Sequence, residues 1–99
     1  MEIKQAQEDL QKFIKSKGYD KQSLSVDVAF LAEEMGEVAR EALYLEVPRK
    51  DKKSKKQILN DLGYELSDVF YWILKIAARL DIDLEKAFIE KFARIKSRK

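Results

Sequence analysis

An all-α fold of four helices in one domain is what this sequence predicts, and three observations predict it. Apolar residues recur at helical rather than alternating spacing along most of the chain. The interruptions fall where glycine, proline or aspartate ends or caps a helix. One proline and three glycines in 99 residues, with few β-branched runs, leave little of the turn chemistry that a sheet uses. A hydrophobic content of 45% suits a single domain over residues 1–99, with a modest core and a basic tail at about 96–99.

The first helix is expected over about residues 2–17, where Ile3, Ala6, Leu10, Phe13 and Ile14 form one stripe. Gly18 stands where a left-handed residue would close it. Asp20, Ser23 and Ser25 each suit the N-cap of a second helix, expected from about Ser25 to Leu45. Its stripe is Val28, Leu31, Met35, Val38, Ala42 and Leu45. Pro48 ends it, because proline disfavours helical geometry in the residue before it.

The run RKDKKSK at 49–55 reads as a solvated loop. A third helix, from about Ser54 to Leu80, carries Ile58, Leu62, Leu66, Val69, Ile73, Ile76 and Leu80 as its stripe. The sequence DID at 81–83 breaks it, and Asp83 is the expected N-cap of a last helix to about Lys96, with Leu84, Ala87, Phe88, Phe92 and Ile95 apolar. The third helix has more apolar surface than one packing face needs. After Asp68 it reads VFYWILKIAARL, where only Lys75 and Arg79 are charged and Phe70, Leu74 and Ala77 lie off the stripe. A helix apolar nearly all round is buried on several sides. In a chain this short a second copy covers the surplus most readily, so a homo-oligomer is expected.

The formal net charge of +2 conceals a segregated distribution. From Val26 to Pro48 there are six acids and one base, and from Lys50 to Lys56 five lysines and one acid. Lys91 to Lys99 carries five bases and no acid. The absence of cysteine rules out disulfides, thiolate metal sites and a thiol nucleophile. The absence of histidine removes the commonest general base and transition-metal ligand, and with it a ferritin-like di-iron centre built on Glu-x-x-His. The N-terminus MEIKQAQEDL lacks the apolar core of a signal peptide, and no apolar run reaches membrane-spanning length. A soluble cytoplasmic protein with no membrane association is therefore the expectation.

The stretch LAEEMGEVARE, residues 31–41, places four glutamates beside one arginine, with Glu33, Glu37 and Glu41 at a repulsive four-residue spacing. Residues three apart are neighbours on a helix surface, so Glu34 and Glu37 form a pair, with Glu41 completing the row. Glu65 and Asp68 form a second pair on the third helix, with Asp61 one turn earlier. Taking Glu34 and Glu65 as zero, both rows lie at about 300° to 360°, beside apolar stripes at about 20° to 120°. Helices packed by those stripes would bring the rows into one cleft. No base lies between Lys56 and Lys75 to neutralise the second row. Carboxylates converging in a partly dry cleft either rise in pKa or recruit a cation. With neither Cys nor His available, that cation is a hard one bound through oxygen, Mg²⁺ or Mn²⁺. Either pair alone is common on a solvated face; two matched pairs at the edges of apolar stripes are much less so.

The EEMGE at 33–37, the ELSD at 65–68 after 27 intervening residues, and WILKIAARLDIDLEKAFIEKF at 72–92 together resemble the MazG-type all-α nucleoside triphosphate pyrophosphohydrolases. The likeness is closest to the short single-domain members, including the dCTP pyrophosphatase branch, and covers roughly residues 20–95. It implies a MazG-like four-helix bundle completed by oligomerisation, as a dimer or a tetramer made of two dimers. It implies Mg²⁺ held by Glu34, Glu37, Glu65 and Asp68. It implies hydrolysis of a nucleoside triphosphate between the α and β phosphates to the monophosphate and pyrophosphate, in the service of nucleotide-pool cleaning. By likeness to the dUTP-hydrolysing relatives, Glu34 is the catalytic base that orients and deprotonates water, while Glu33 and Glu41 are expected to be solvated or to support the ligands. Lys91 matches the family's lysine after the last IDL segment and would contact phosphate, as would Arg94. Many relatives carry an asparagine near position 95 and a tyrosine beyond, whereas this chain has Ile95 and ends KSRK.

Phe30, Tyr44 and Trp72 are the aromatic residues placed to stack on a base, and for each of them packing in the core or a subunit interface is the competing role. Two other functions compete with the enzyme. One is a noncatalytic helical protein-interaction module whose acidic faces bind a basic partner. The other is a nucleic-acid binder using 50–56 and the C-terminal bases, against which stand the phosphate-repelling acidic region and the lack of a basic stripe interleaved with aromatics.

Overall fold

The computed structural model describes residues 2–47 and 53–98 and contains, among them, four α-helices and no strand. These are α1 (Ile3–Lys17), α2 (Leu24–Leu43), α3 (Lys55–Arg79) and α4 (Leu84–Ser97), with a short 3₁₀ turn over Tyr19–Lys21. The fold class is therefore all-α, as the periodicity requires. Pro48 and most of the expected lysine loop fall outside the described residues, as does the last lysine of the basic tail. No described helix is long and apolar enough to cross a membrane.

Each boundary has a local cause. Gly18 closes α1 at φ 73°, its N–H reaching the carbonyls of Ile14 and Lys15 in the left-handed geometry that glycine adopts without strain. Lys15 and Lys17 sit in the last turn, favourably placed against the helix dipole. Helix α2 starts directly after Ser23 and stops at Leu43, two residues short of the expected Leu45. There the backbone tightens, with Leu45 N–H bonded to Ala42 O and Glu46 N–H to Leu43 O, the three-residue pattern common at helix ends.

Ser54 and Gln57 form a reciprocal capping box at the start of α3. The Ser54 hydroxyl accepts from Gln57 N–H at 3.1 Å, and Gln57 Oε1 accepts from Ser54 N–H at 3.0 Å. Helix α3 ends in a Schellman motif: Ile82 N–H reaches Ala77 O at 2.9 Å and Asp81 N–H reaches Ala78 O at 3.3 Å. Asp81 takes the left-handed position there, at φ 53°, as one of the few non-glycine types that tolerates it. Asp83 caps α4 by accepting from Lys86 N–H at 3.0 Å, as expected.

The chain divides into two compact units, Met1–Leu24 with Leu74–Lys99, and Ser25–Ile73. In the first, Ile14, Leu74, Ala77 and Ala78 are buried together with the Lys75 side chain. Gln7 ties α1 to the start of α4, its amide donating to Ile82 O at 2.7 Å and its carbonyl accepting from Leu84 N–H at 3.3 Å. Arg79 donates to Gln22 O at 2.5 Å. On α4 the rings of Phe88 and Phe92 stack at 5.8 Å, yet both, like Ile89 and Ile95, remain about half exposed.

The second unit is α2 with the first five turns of α3. Ile58 is its buried apolar residue, and Phe30 of α2 stacks on Trp72 of α3 at 5.0 Å and 14° between ring planes. The core of α3 differs from the stripe drawn on its wheel. Leu66, Ile73 and Leu80 of that stripe are exposed, whereas Leu74 and Ala77, drawn off the stripe, are buried. The reason is that this helix is apolar on several sides, so periodicity does not rank its faces.

Candidate metal centre

The candidate centre lies on α2 and α3 within the second unit. Glu34 comes from the middle of α2, and Glu65 and Asp68 come from α3, one turn apart on one face. Each offers a carboxylate oxygen, and these oxygens lie within 4.8 Å of one another. Glu34 and Glu65 are partly buried, and Asp68 is exposed. Three of the four paired acids thus converge, from rows more than twenty-five residues apart in sequence.

The electrostatics match that convergence. Partial burial raises the Glu34 carboxyl above its ordinary value, and the neighbouring charges of Asp68, Glu65, Glu33 and Glu37 raise it further. Glu65 is raised first by burial and then by Asp68, Glu37 and Glu41, with Arg40 opposing. The donors are all hard oxygens, close enough to share one ion, and their mutual repulsion is what a divalent cation would relieve. The set suits Mg²⁺ or Mn²⁺ on donor chemistry and charge.

Glu37 stands apart from the converging group. Its carboxylate accepts from the Arg40 guanidinium at 2.7 Å, one turn further along α2. Asp61, which extends the α3 row, is ion-paired with Lys53. Glu41, expected to be solvated or to support the ligands, is 8% exposed and so is not the solvated residue of the first alternative. Asp27, in the first turn of α2, is fully buried and was not singled out from the sequence. A helix N-terminus favours negative charge there, and a lone aspartate before an apolar run was its only sequence signal.

This geometry implies a pH dependence in metal-free protein. A carboxyl whose folded pKa is raised contributes stability that is fully present below its unfolded value, near 4.5, and lost as pH rises through the folded value. At pH 8 in EDTA, Glu65→Gln is therefore expected to raise the melting temperature. One like-charge contact at about 4 Å is worth about 1 kcal/mol in water, or about 4–8 °C for a domain of this size. The gain should shrink as pH falls toward 4.5. Thermal melts at a series of pH values read it directly, and a variant no more stable than the parent at pH 8 would contradict the repulsion.

Residues 22–99 match the MazG nucleotide pyrophosphohydrolase domain. The chain belongs to the MazG family. The match spans α2, α3 and α4 and includes every residue of the candidate centre; α1 precedes it. Membership places the chain among the nucleotide pyrophosphohydrolases, which are hydrolases of acid anhydrides. Searches of curated proteins and of solved structures gave no significant match.

The other residues expected to serve a MazG site are distributed as follows. Phe30 and Trp72 share the unit of the carboxylates and are stacked on one another, with Tyr71 edge-on to Trp72 at 5.1 Å. Tyr44 is half-buried just beyond the end of α2. Lys91 and Arg94 are exposed on α4, in the other unit.

Proposed function

We propose that this MazG chain is a Mg²⁺-dependent nucleotide pyrophosphohydrolase. It would cleave an NTP or dNTP between the α and β phosphates, releasing the monophosphate and pyrophosphate. The observation that carries the reading is the convergence of Glu34, Glu65 and Asp68 within 4.8 Å, in a chain whose MazG match contains all three. Glu34, Glu37, Glu65 and Asp68 would hold the ion, with Mn²⁺ an alternative to Mg²⁺. When bound, the ion supplies positive charge that offsets the triphosphate and the leaving pyrophosphate.

The chain's own residues supply the rest. Glu34 orients the attacking water and accepts its proton. Asp68, the exposed member of the group, is open to solvent and so accessible to a nucleotide. By the family likeness Lys91 and Arg94 are the bases that would contact phosphate, and Phe30 and Trp72, stacked on one another, are the aromatic residues that would take a base. Half-exposed Phe88, Ile89, Phe92 and Ile95 support a homo-oligomer, a dimer or a dimer of dimers. The role is nucleotide-pool cleaning in the cytoplasm.

A panel of NTPs and dNTPs incubated with the protein and Mg²⁺ tests this reading. Pyrophosphate release from at least one nucleotide is expected. Release from none would overturn the enzyme reading and leave a noncatalytic module with acidic faces.

A further inference from the structure

Arg40 is the one base between Val26 and Pro48, and it lies one turn beyond Glu37 on α2. Its Nη2 meets Glu37 Oε2 at 2.7 Å, the length of a charge-assisted hydrogen bond. Glu37 shares a helix face with Glu34 by its three-residue spacing, yet its carboxylate is engaged by Arg40, whereas Glu34, Glu65 and Asp68 converge. We propose that Arg40 competes with a divalent ion for Glu37: it holds that carboxylate out of the group in the metal-free chain and yields it when the ion binds. The inference rests on the metal reading proposed above and adds a residue that governs how readily the fourth ligand is delivered.

The physics runs in opposite directions in the two states. Without an ion, a fourth carboxylate drawn in among the three would add repulsion to a cluster already repelling itself, and pairing with Arg40 limits that. With an ion present, a doubly charged partner attracts a carboxylate about twice as strongly as a guanidinium at the same distance and dielectric. The Arg40 side chain is 59% exposed and that of Glu37 37%, so their pair is screened by water and gives way easily. The same exposure lets Arg40 be replaced without disturbing the core.

The test is binding of Mn²⁺ alone, with free ion counted by electron paramagnetic resonance. It uses the parent chain, Arg40→Gln, Glu37→Gln and the double variant, with circular dichroism confirming that each is helical. Arg40→Gln is expected to bind Mn²⁺ about two- to five-fold more tightly than the parent. In the Glu37→Gln background the same replacement is expected to have a much smaller effect, because the contested carboxylate is gone and only the longer-range charge of Arg40 remains. A gain of undiminished size in that background would reduce Arg40 to a distant repelling charge and overturn the competition. Equal or weaker binding by Arg40→Gln would overturn it too, while leaving the metal centre standing. Absence of Mn²⁺ binding by the parent would instead remove the metal centre, and this proposal with it.

Discussion

Glu65→Ala and Asp68→Ala are each expected to lower kcat/KM for pyrophosphate release by about 10³-fold or more. An ion that stabilises charge in a phosphoryl-transfer transition state contributes several kcal/mol, and each 1.36 kcal/mol is a factor of ten. Glu34→Gln should lose a similar factor through the missing base, with a smaller loss of metal affinity, because its amide oxygen still reaches the group. The replacements should leave the helices intact. Asp68 is exposed, and in metal-free protein removal of a charge from a repelling group relieves the fold rather than straining it. Steady-state kinetics with circular dichroism on the same samples decides the matter. Variants that stay folded and keep near-parent rates would show that these carboxylates are not the site.

Removal of the metal is the second large effect. Chelation with EDTA is expected to abolish turnover, and excess Mg²⁺ or Mn²⁺ should restore it. The same additions should stabilise the fold, because an ion that binds only the native state adds about 2.7 kcal/mol at a concentration of about one hundred times its dissociation constant. For a chain of this size that is a shift of ten degrees or more in melting temperature. The Glu65→Gln chain should show a much smaller shift. A melting temperature indifferent to millimolar Mg²⁺, with activity unaffected by EDTA, would contradict the centre.

Much of this fold is written in local pattern. Gly18, Asp83 and the helical spacing of the apolar residues place the helices to within about two residues, because caps and periodicity act over a single turn. The Schellman end of α3 at Asp81 was less visible, since a left-handed aspartate carries a weaker signal than glycine. Which face of α3 packs was not legible, and Leu74 and Ala77 rather than Leu66 and Ile73 are buried. A helix apolar on several sides has no preferred face until its neighbours are known.

The candidate centre follows the same division. Three-residue spacing placed Glu65 beside Asp68, and matched rows brought Glu34 to them. Spacing fixes a residue's direction around a helix but neither its depth nor its partner. The burial of Glu41 and the engagement of Glu37 by Arg40 depend on both, and became visible only in three dimensions. The excess of glutamate in residues 31–41 is therefore mixed in origin: Glu34 joins the carboxylates of α3, Glu37 is held by Arg40, and Glu41 is buried.

The most direct test of the central claim is the identity of the bond broken. Phosphorus nuclear magnetic resonance of a nucleoside triphosphate hydrolysed by the protein with Mg²⁺ should show nucleoside monophosphate and pyrophosphate rising together in equal amounts, with neither nucleoside diphosphate nor orthophosphate. Nucleoside diphosphate and orthophosphate in their place would put cleavage between the β and γ phosphates and contradict the account.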